Sequence, residues 1–251
     1  MKIVQSILNE NPCYTAGKKI TVKGLMLHSV GCPQPSASVF IQNWNKSTYN
    51  RACVHAFIDG NNGKVYQTLP WNHRGWHCGG TANNTHIGVE MCEPANIKYV
   101  SGTTITCTDK VKARSVVQRT YDNAVLLFAH LCAKYKLDPM KDIISHKEGA
   151  VKGVASSHSD PEHLWKQLGM GYTMDTFRKA VRAAMVKDTS YMVKITTDTL
   201  NVRKGVGVTH PIVTTVRKGE IYTIIDDSNG WGKLKSGSGW INLKYTQKIK
   251  G

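Results

Sequence analysis

The amino-acid sequence predicts an α/β domain, with a mixed central sheet flanked by helices, followed by a small all-β barrel. Up to about residue 187, apolar segments of strand-like composition alternate with segments of helical period. From Tyr191 onward the helical period is absent, and short strands alternate with turns. The pattern changes near residues 186–190, so we predict one domain over residues 1–187 and a second over residues 188–251.

The first elements place a histidine at the end of a buried strand. Residues 1–19 are rich in turn formers and predict an irregular lead-in. Residues 20–28 alternate and then become continuously apolar, which is typical of a central strand, and the run ends at His28. Residues 36–46 carry apolar side chains at helical spacing and predict a helix.

The next segments predict a hairpin and a second buried strand. Residues 54–58 and 64–69 are strand-like and flank an Asn/Gly cluster that supplies the positive-φ positions of a turn. Residues 87–93 form an apolar strand that carries Glu90, and residues 94–110 predict a loop or a short polar hairpin. A carboxylate inside an apolar strand is costly unless it is paired or bound to a cation. Glu90 is therefore a candidate functional acid, and the alternative is a salt bridge at a strand edge.

Two helices, with a second histidine and a loop between them, complete the first domain. Residues 111–136 repeat apolar side chains every three or four positions and predict the longest helix. Ile143 and Ile144 lead into a second histidine, His146. Residues 149–157 are rich in Gly, Ser and Ala and predict a flexible loop, whereas residues 173–185 predict a last amphipathic helix.

The C-terminal stretch predicts a small β-barrel, because short apolar segments recur between turns. The predicted strands are 193–195, 200–202, 212–216, 221–225, 230–234 and 239–241. Tyr222, Trp231 and Trp240 offer rings that could stack on a ligand. The alternative for Trp231 and Trp240 is a place in the barrel core.

Three short motifs, far apart in the chain, predict one metal site. His28 ends a strand, His146 follows the apolar pair Ile143 and Ile144, and Asp160 lies in a Ser/His/Asp/Pro segment. Catalytic zinc is held by three nitrogen, sulfur or oxygen ligands and keeps a fourth position for water. The alternative for His28 is a hydrogen-bonded histidine of the core.

Composition limits the class of protein and of partner. The net charge is +16, and residues 191–251 carry ten basic against four acidic side chains, which favours an anionic partner such as nucleic acid, lipid headgroups or a teichoic-acid-bearing wall. Seven cysteines at irregular spacing, with no Cys-x-x-Cys pair, predict reduced and mostly buried thiols. No segment is long and apolar enough to span a bilayer, so we expect no stable membrane insertion.

Six short motifs, in this order, resemble the type-2 N-acetylmuramoyl-L-alanine amidases, a family that includes phage endolysins and peptidoglycan recognition proteins. They are Leu27–Ser29, Val54–Asp59, Trp76–Gly80, Ile87–Glu90, Ser145–Glu148 and His158–Pro161. Residues 200–203 and 239–241 are similar to a bacterial SH3-like module of the kind fused to wall hydrolases. The resemblance implies an amidase-2 type fold over roughly residues 20–185.

The resemblance also implies an activity and a set of site residues. It implies a zinc metalloamidase that cleaves the amide bond between N-acetylmuramic acid and the L-alanine of the stem peptide. His28, His146 and Asp160 would be the zinc ligands, and Glu90 would be the acid/base residue. Where the family pattern commonly has Lys, this chain has His158, which would stabilise the developing oxyanion. In the alternative, His158 binds zinc, and Asp160 contacts a zinc ligand instead of the zinc ion.

Further residues are candidates for substrate binding. Trp76 and His77 lie in a loop dense in His, Trp and Gly, where rings can stack on a sugar or a peptide. The alternative for Trp76 is a buried side chain that caps the loop. His55 and His77 would line the groove or orient the metal ligands from behind.

The expected partners are peptidoglycan and anionic wall polymers, the latter bound by the barrel through its charge and through Tyr222, Trp231 and Trp240. We expect no nucleic acid, because no binding motif is visible and the basic residues are scattered. The alternative function is a recognition protein that binds peptidoglycan without cutting it, although such proteins lose a metal ligand.

The N-terminal residues contain no apolar run typical of a secretory signal. We therefore expect a phage or prophage endolysin that is made in the host cytoplasm and reaches the wall through a holin-type pore. A bacterial autolysin is the alternative source.

Overall fold

The computed structural model describes residues 2–249, apart from the side chains of residues 186–189. The chain divides into two compact units, Met1–Arg182 and Ala183–Gly251. This division and the predicted boundary at 187/188 both fall within one helix, Met174–Thr189. The side chains at 187 and 188 lie outside the described part, so the predicted boundary stays a prediction.

The first unit is built on a mixed sheet, as the sequence predicts. Its described strands are β1 (Ile3–Gln5), β2 (Gly24–Ser29), β3 (Ala56–Ile58), β4 (Val65–Gln67), β5 (His86–Met91), β6 (Ile97–Ser101), β7 (Thr104–Cys107) and β8 (Ile143–Ser145). Six of these described strands form one sheet in the order β1-β4-β3-β5-β2-β8, while β6 and β7 form a separate antiparallel hairpin. Strand β2 pairs in parallel with β5 and β8, whereas β3 and β4 are antiparallel.

Helices pack against this sheet. The described helices are α1 (Pro12–Thr15), α2 (Ala37–Trp44), α3 (Lys110–Tyr135), α4 (Pro139–Asp142), α5 (His146–Val151), α6 (Glu162–Leu168) and α7 (Met174–Thr189). The long helix α3 begins at the N-cap Asp109, which accepts a hydrogen bond from the Lys112 N–H, and it contacts β3 and β5. Strand β2 is buried along its whole length, which is why its sequence is apolar on both faces.

Two segments differ from the sequence-based expectation. The predicted lead-in over residues 1–19 contains β1, which pairs with β4 at the sheet edge, and the short helix α1. A strand of three residues is too short to show a period. The predicted loop over residues 149–157 begins inside α5, because the capping box of Ser145 and Glu148 starts a helix at His146.

The second unit is all-β, which confirms the predicted fold class. Its described strands are β9 (Tyr191–Ile195), β10 (Thr199–Arg203), β11 (Ile212–Arg217), β12 (Ile221–Ser228), β13 (Trp231–Leu234), β14 (Trp240–Asn242) and β15 (Thr246–Ile249). They form one sheet with its own core, which includes Val193, Val202 and Ile224. The sequence did not predict β15, which is largely polar and pairs with β9.

Two further features bear on the class of protein. Within residues 2–249, no helix has both the length and the apolar character that crossing a membrane requires. All seven cysteines, each within the described chain, are free thiols, and four of them are buried.

We expect Phe177→Ala to lower the free energy of unfolding of the first unit by about 3–5 kcal/mol, since it removes buried surface and leaves a cavity. Phe177 is fully buried on α7 and packs edge-on against Tyr121 and Phe128. Urea denaturation followed by tryptophan fluorescence measures the change. Val111→Ala, at a site that is 78% exposed on α3, is the matched control and should change stability by less than about 0.5 kcal/mol.

Candidate metal centre

Three neighbouring parallel strands bring the candidate site together at their carboxyl ends. His28 lies near the end of β2 and is in register with Glu90 on β5. His146 follows the last residue of β8, on the other side of β2. Asp160 comes from the segment that precedes α6. The carboxyl edge of a parallel sheet is where such domains commonly bind ligands.

The three predicted ligands converge on one buried point. His28 Nδ1 and His146 Nδ1 are 3.1 Å apart. Asp160 Oδ2 lies 3.4 Å from His28 Nδ1, and its Oδ1 lies 3.4 Å from His146 Nδ1. All three side chains are buried, and their donor atoms lie within 4.8 Å of one another.

A chain of hydrogen bonds behind His28 fixes its tautomer. His77 Nε2 lies 3.1 Å from the carbonyl oxygen of His86, which can only accept, so Nε2 carries the proton of the His77 ring. His77 Nδ1 therefore accepts, and its partner is His28 Nε2 at 3.0 Å. Because the His28 proton is on Nε2, its Nδ1 points a lone pair at the centre.

His146 is held in the same way by a residue that sequence reasoning missed. Ser156 Oγ donates to the carbonyl oxygen of Cys78 at 3.1 Å and can accept from His146 Nε2 at 3.3 Å. This arrangement leaves a lone pair on His146 Nδ1 as well. Ser156 lies in a Ser/Ala-rich segment with no motif of its own, so no local signal marked it.

These donors fit a divalent cation. Two imidazole lone pairs facing each other at 3.1 Å, with a carboxylate beside them, repel unless a positive charge lies between them. Zinc ligands at about 2.0–2.1 Å and tetrahedral angles lie roughly 3.3 Å apart. The observed separations of 3.1, 3.4 and 3.4 Å are close to that spacing.

The position of Asp160 bears on the choice between Asp160 and His158. Asp160 is buried, and its Oδ2 also accepts from the backbone N–H of Ser29 at 3.3 Å. Burial alone would raise the pKa of Asp160, but the imidazoles of His146, His158 and His28 around it hold that pKa well below its usual value. His158 has a side chain that is 57% exposed, and it stacks on the His146 ring with the centroids 4.2 Å apart. The buried donor cluster therefore contains Asp160, with His158 at its rim.

Glu90 faces the same cleft with part of its carboxylate unpartnered. Its Oε2 is buried and has no hydrogen-bond partner among the described residues. Burial, followed by the negative charges of Asp160 and Glu93, raises the pKa of Glu90 well above its usual value. An unpaired buried carboxylate oxygen is costly, and such groups are concentrated at functional sites.

The three predicted substrate-binding residues occupy different places. His77 lines the cleft, but both of its ring nitrogens are used to orient His28. The assignment of His55 to the groove is wrong, because His55 is fully buried with its nitrogens bonded to the His73 carbonyl and the Gly88 N–H. Burial lowers the pKa of His55 to about 4. Trp76 is 44% exposed, so it is not a buried cap, but it lies outside the cleft lining.

The cleft itself has a volume of about 610 Å³ and extends beyond the metal ligands. Tyr99 of β6 and His163 of α6 also line it, together with Gly102 and Thr103 between β6 and β7. Sequence reasoning did not select these residues, because the polar hairpin carries no recognisable motif. They reach the cleft only through tertiary packing.

The aromatic side chains predicted to bind a ligand in the second unit are largely packed inward. Trp231 is only 8% exposed, which corrects its role as an open stacking surface, because most of its ring is buried. An edge of Trp231 lines a cavity of about 360 Å³ with Tyr245 and Arg203. Tyr222 packs against the core of the second unit, and Trp240 is half-buried with Lys233 Nζ 5.9 Å from its ring centroid.

Two family models match the chain. A model described as N-acetylmuramoyl-L-alanine amidase matches residues 18–163, and one described as bacterial SH3 domain matches residues 198–247. The curated relative XlyA, an N-acetylmuramoyl-L-alanine amidase of Bacillus subtilis strain 168, is 31% identical over 87 residues. That match covers 34% of this chain and 27% of XlyA, so the chain spans about a quarter of that relative.

Solved structures show the same fold. The Staphylococcus aureus hydrolase AmiA, in complex with its ligand, is similar with a TM-score of 0.57 and 18% identity, over 75% of this chain and 85% of AmiA. The catalytic domain of PlyG is similar with a TM-score of 0.52 and 18% identity, over 74% of this chain and 96% of that domain. At these identities the likeness concerns the fold alone.

We expect His77→Phe to weaken the affinity for a divalent cation about 10- to 100-fold, because His28 loses the acceptor that fixes its tautomer. Chelator competition at fixed pH measures this affinity. His130→Phe, at an exposed histidine on α3, is the matched control and should leave the affinity unchanged. Equal affinities of His77→Phe and wild type would contradict the hydrogen-bond chain described above.

Proposed function

The chain belongs to the N-acetylmuramoyl-L-alanine amidase family and carries a bacterial SH3 domain, and from that premise we propose that it is a zinc-dependent peptidoglycan hydrolase. The bond cut would be the amide between the lactyl group of N-acetylmuramic acid and the L-alanine of the stem peptide. The observation that carries the proposal is the convergence of the His28 and His146 lone pairs with the Asp160 carboxylate beside Glu90.

His28, His146 and Asp160 would hold the zinc ion. When bound, zinc supplies Lewis-acid chemistry, since it polarises a carbonyl and lowers the pKa of water toward neutrality. The protein contributes the orientation of the donors: His77 and Ser156 hold the two imidazoles, and the Ser29 N–H holds the carboxylate.

Glu90 would act as general base and then as general acid. Its unpartnered Oε2 can accept a proton from the attacking water as the C–O bond forms. The same carboxyl can then give that proton to the nitrogen of L-alanine as the amide C–N bond breaks. Burial raises the pKa of Glu90, which makes its carboxylate a stronger base for the proton of the water.

His158 would stabilise the oxyanion that develops on the scissile carbonyl. It lies at the exposed rim of the donor cluster and stacks on His146. Its hydrogen bond to Asp160 raises the pKa of His158, which favours a ring that can donate. Such donors typically contribute about 2.7–4 kcal/mol to transition-state stabilisation.

The second unit would bind the cell wall. Residues 191–251 carry ten basic and four acidic side chains, which would attract anionic wall polymers in a salt-sensitive way. The cavity beside Trp231 and the half-buried rings of Tyr222 and Trp240 offer aromatic surface for a wall ligand.

We expect Glu90→Gln to retain bound zinc while its turnover falls by roughly two orders of magnitude or more, since the amide cannot accept the proton. Metal analysis gives the zinc content, and mass spectrometry of digested sacculi identifies the severed bond. Glu10→Gln, at an exposed site, is the control and should keep full activity. Full activity of Glu90→Gln would remove Glu90 from the mechanism. Wild-type protein that binds muropeptides without releasing an amine would support the recognition protein instead.

Deleting residues 191–251 should weaken binding to intact walls more than it slows hydrolysis of a soluble muramoyl-peptide. The reason is that the basic residues and aromatic rings of the second unit would contact the wall polymer, whereas the metal centre lies in the first unit. Co-sedimentation with purified walls at increasing salt measures the first property, and amine release measures the second. An equal loss of both would indicate a structural role for the second unit.

A further inference from the structure

Beyond the metal centre, Glu93, Tyr99 and His163 form a hydrogen-bonded chain at the side of the cleft. The Tyr99 hydroxyl oxygen lies 2.7 Å from Glu93 Oε2 and 2.8 Å from His163 Nε2. Glu93 follows β5 and is fully buried, whereas Tyr99 and His163 line the cleft. The steps proposed above use none of these three side chains.

The geometry requires one proton more than Tyr99 can supply. His163 Nδ1 lies 3.3 Å from the carbonyl oxygen of Ser159, which can only accept, so Nδ1 carries the ring proton. In the neutral ring Nε2 is then an acceptor. Two hydrogen bonds flank the Tyr99 oxygen, but its hydroxyl has only one proton. The second proton must reside on Glu93 or on His163.

The surroundings place this proton on Glu93. Glu93 is fully buried, and burial together with the charge of Asp160 raises its pKa to about 7. Burial also lowers the pKa of His163, which disfavours an imidazolium. A neutral Glu93 can donate through Oε2 to Tyr99 while its Oε1 accepts from the Gly31 N–H at 3.1 Å. Tyr99 is then free to donate to His163.

A second contact links the β6–β7 hairpin, which carries Tyr99, to helix α6, which carries His163. Gln167 lies one helical turn after His163 on α6, and its Oε1 accepts from the Ile105 N–H at 2.8 Å. Its Nε2 donates to the carbonyl oxygen of Thr103 at 2.7 Å. The hairpin of β6 and β7 is thus held at two points, and the turn between them, with Gly102 and Thr103, faces the cleft.

We propose that Tyr99 is a positioning residue which, linked to a neutral Glu93 and to His163, holds the β6–β7 hairpin as a fixed wall for the substrate. This inference rests on the proposed function, in which the substrate is a muramoyl-peptide. Gly102 and Thr103 form the part of the wall that the substrate meets. Such a hairpin contacts the substrate equally in the ground state and in the transition state. Loosening it should therefore raise KM and leave kcat nearly unchanged.

The kinetic test is Tyr99→Phe, which keeps the ring but removes both hydrogen bonds. With a soluble muramoyl-peptide, we expect KM to rise about tenfold while kcat stays within about twofold and the zinc content is unchanged. Val100→Ala, at the neighbouring exposed residue of the same strand, is the matched control and should keep the wild-type KM. An unchanged KM, or a loss confined to kcat, would overturn the proposal.

The position of the proton is tested with Glu93→Gln. An amide reproduces the neutral acid, because its NH₂ can donate to Tyr99 and its oxygen can accept from Gly31. We expect Glu93→Gln to keep the wild-type KM and Glu93→Leu to resemble Tyr99→Phe. A KM for Glu93→Gln as high as that of Tyr99→Phe would overturn the neutral chain.

Hydrogen exchange tests whether the β6–β7 hairpin is held in place, and it requires no measurement of enzymatic activity. We expect the amides of residues 103–107 to exchange about tenfold faster in Tyr99→Phe and in Gln167→Ala, and at the wild-type rate in Val100→Ala. Unchanged exchange in both variants would overturn the inference even if the wild-type protein cleaves muramoyl-peptides. Faster exchange in both variants, together with a wild-type protein that cleaves no muramoyl-peptide, would support the role of Tyr99 in holding the hairpin and reject the proposed function.

Discussion

Two buried imidazole lone pairs that face each other across 3.1 Å are the constraint on which the first unit depends. Without a cation between them, the two lone pairs would repel each other, or one ring would change its tautomer and donate a hydrogen bond from Nδ1 to the other. The His86 carbonyl, acting through His77, prevents this change of tautomer at His28, and Ser156 prevents it at His146. The protein thus holds the donors in an arrangement that a cation stabilises, and the residues behind them matter as much as the donors.

The backbone provides the precision of this arrangement. Because β5, β2 and β8 are parallel neighbours, Glu90, His28 and His146 emerge at one edge of the sheet. The His77 ring also needs the absence of a side chain at Gly88, because a Cβ there would overlap it. A glycine within a strand is otherwise unfavourable, and here it makes room for the ring that orients His28.

Two carboxyl groups, Glu90 and Asp160, line the cleft, and a third, Glu93, is buried beside it. Their surroundings give the three groups different properties. Asp160 lies among three imidazoles, which keep its pKa low. Glu90, which is half-buried, and Glu93, which is fully buried, both feel the negative charge of Asp160, and both have raised pKa values. The differences suit a charged candidate ligand, a candidate proton carrier and a neutral hydrogen-bond donor in the proposed wall. Environment, more than residue type, divides these roles.

The sequence by itself determined the buried strands, the long helix, the all-β second unit and the candidates His28, Glu90, His146 and Asp160. Apolar periodicity and short motifs are local, so they can be recognised without coordinates. Tertiary structure alone decided that β1 joins the sheet, that His55 is buried and that Ser156, Tyr99 and His163 reach the centre or the cleft. Those outcomes depend on contacts between residues far apart in the chain. No local pattern encodes which side chain will lie behind a given imidazole nitrogen.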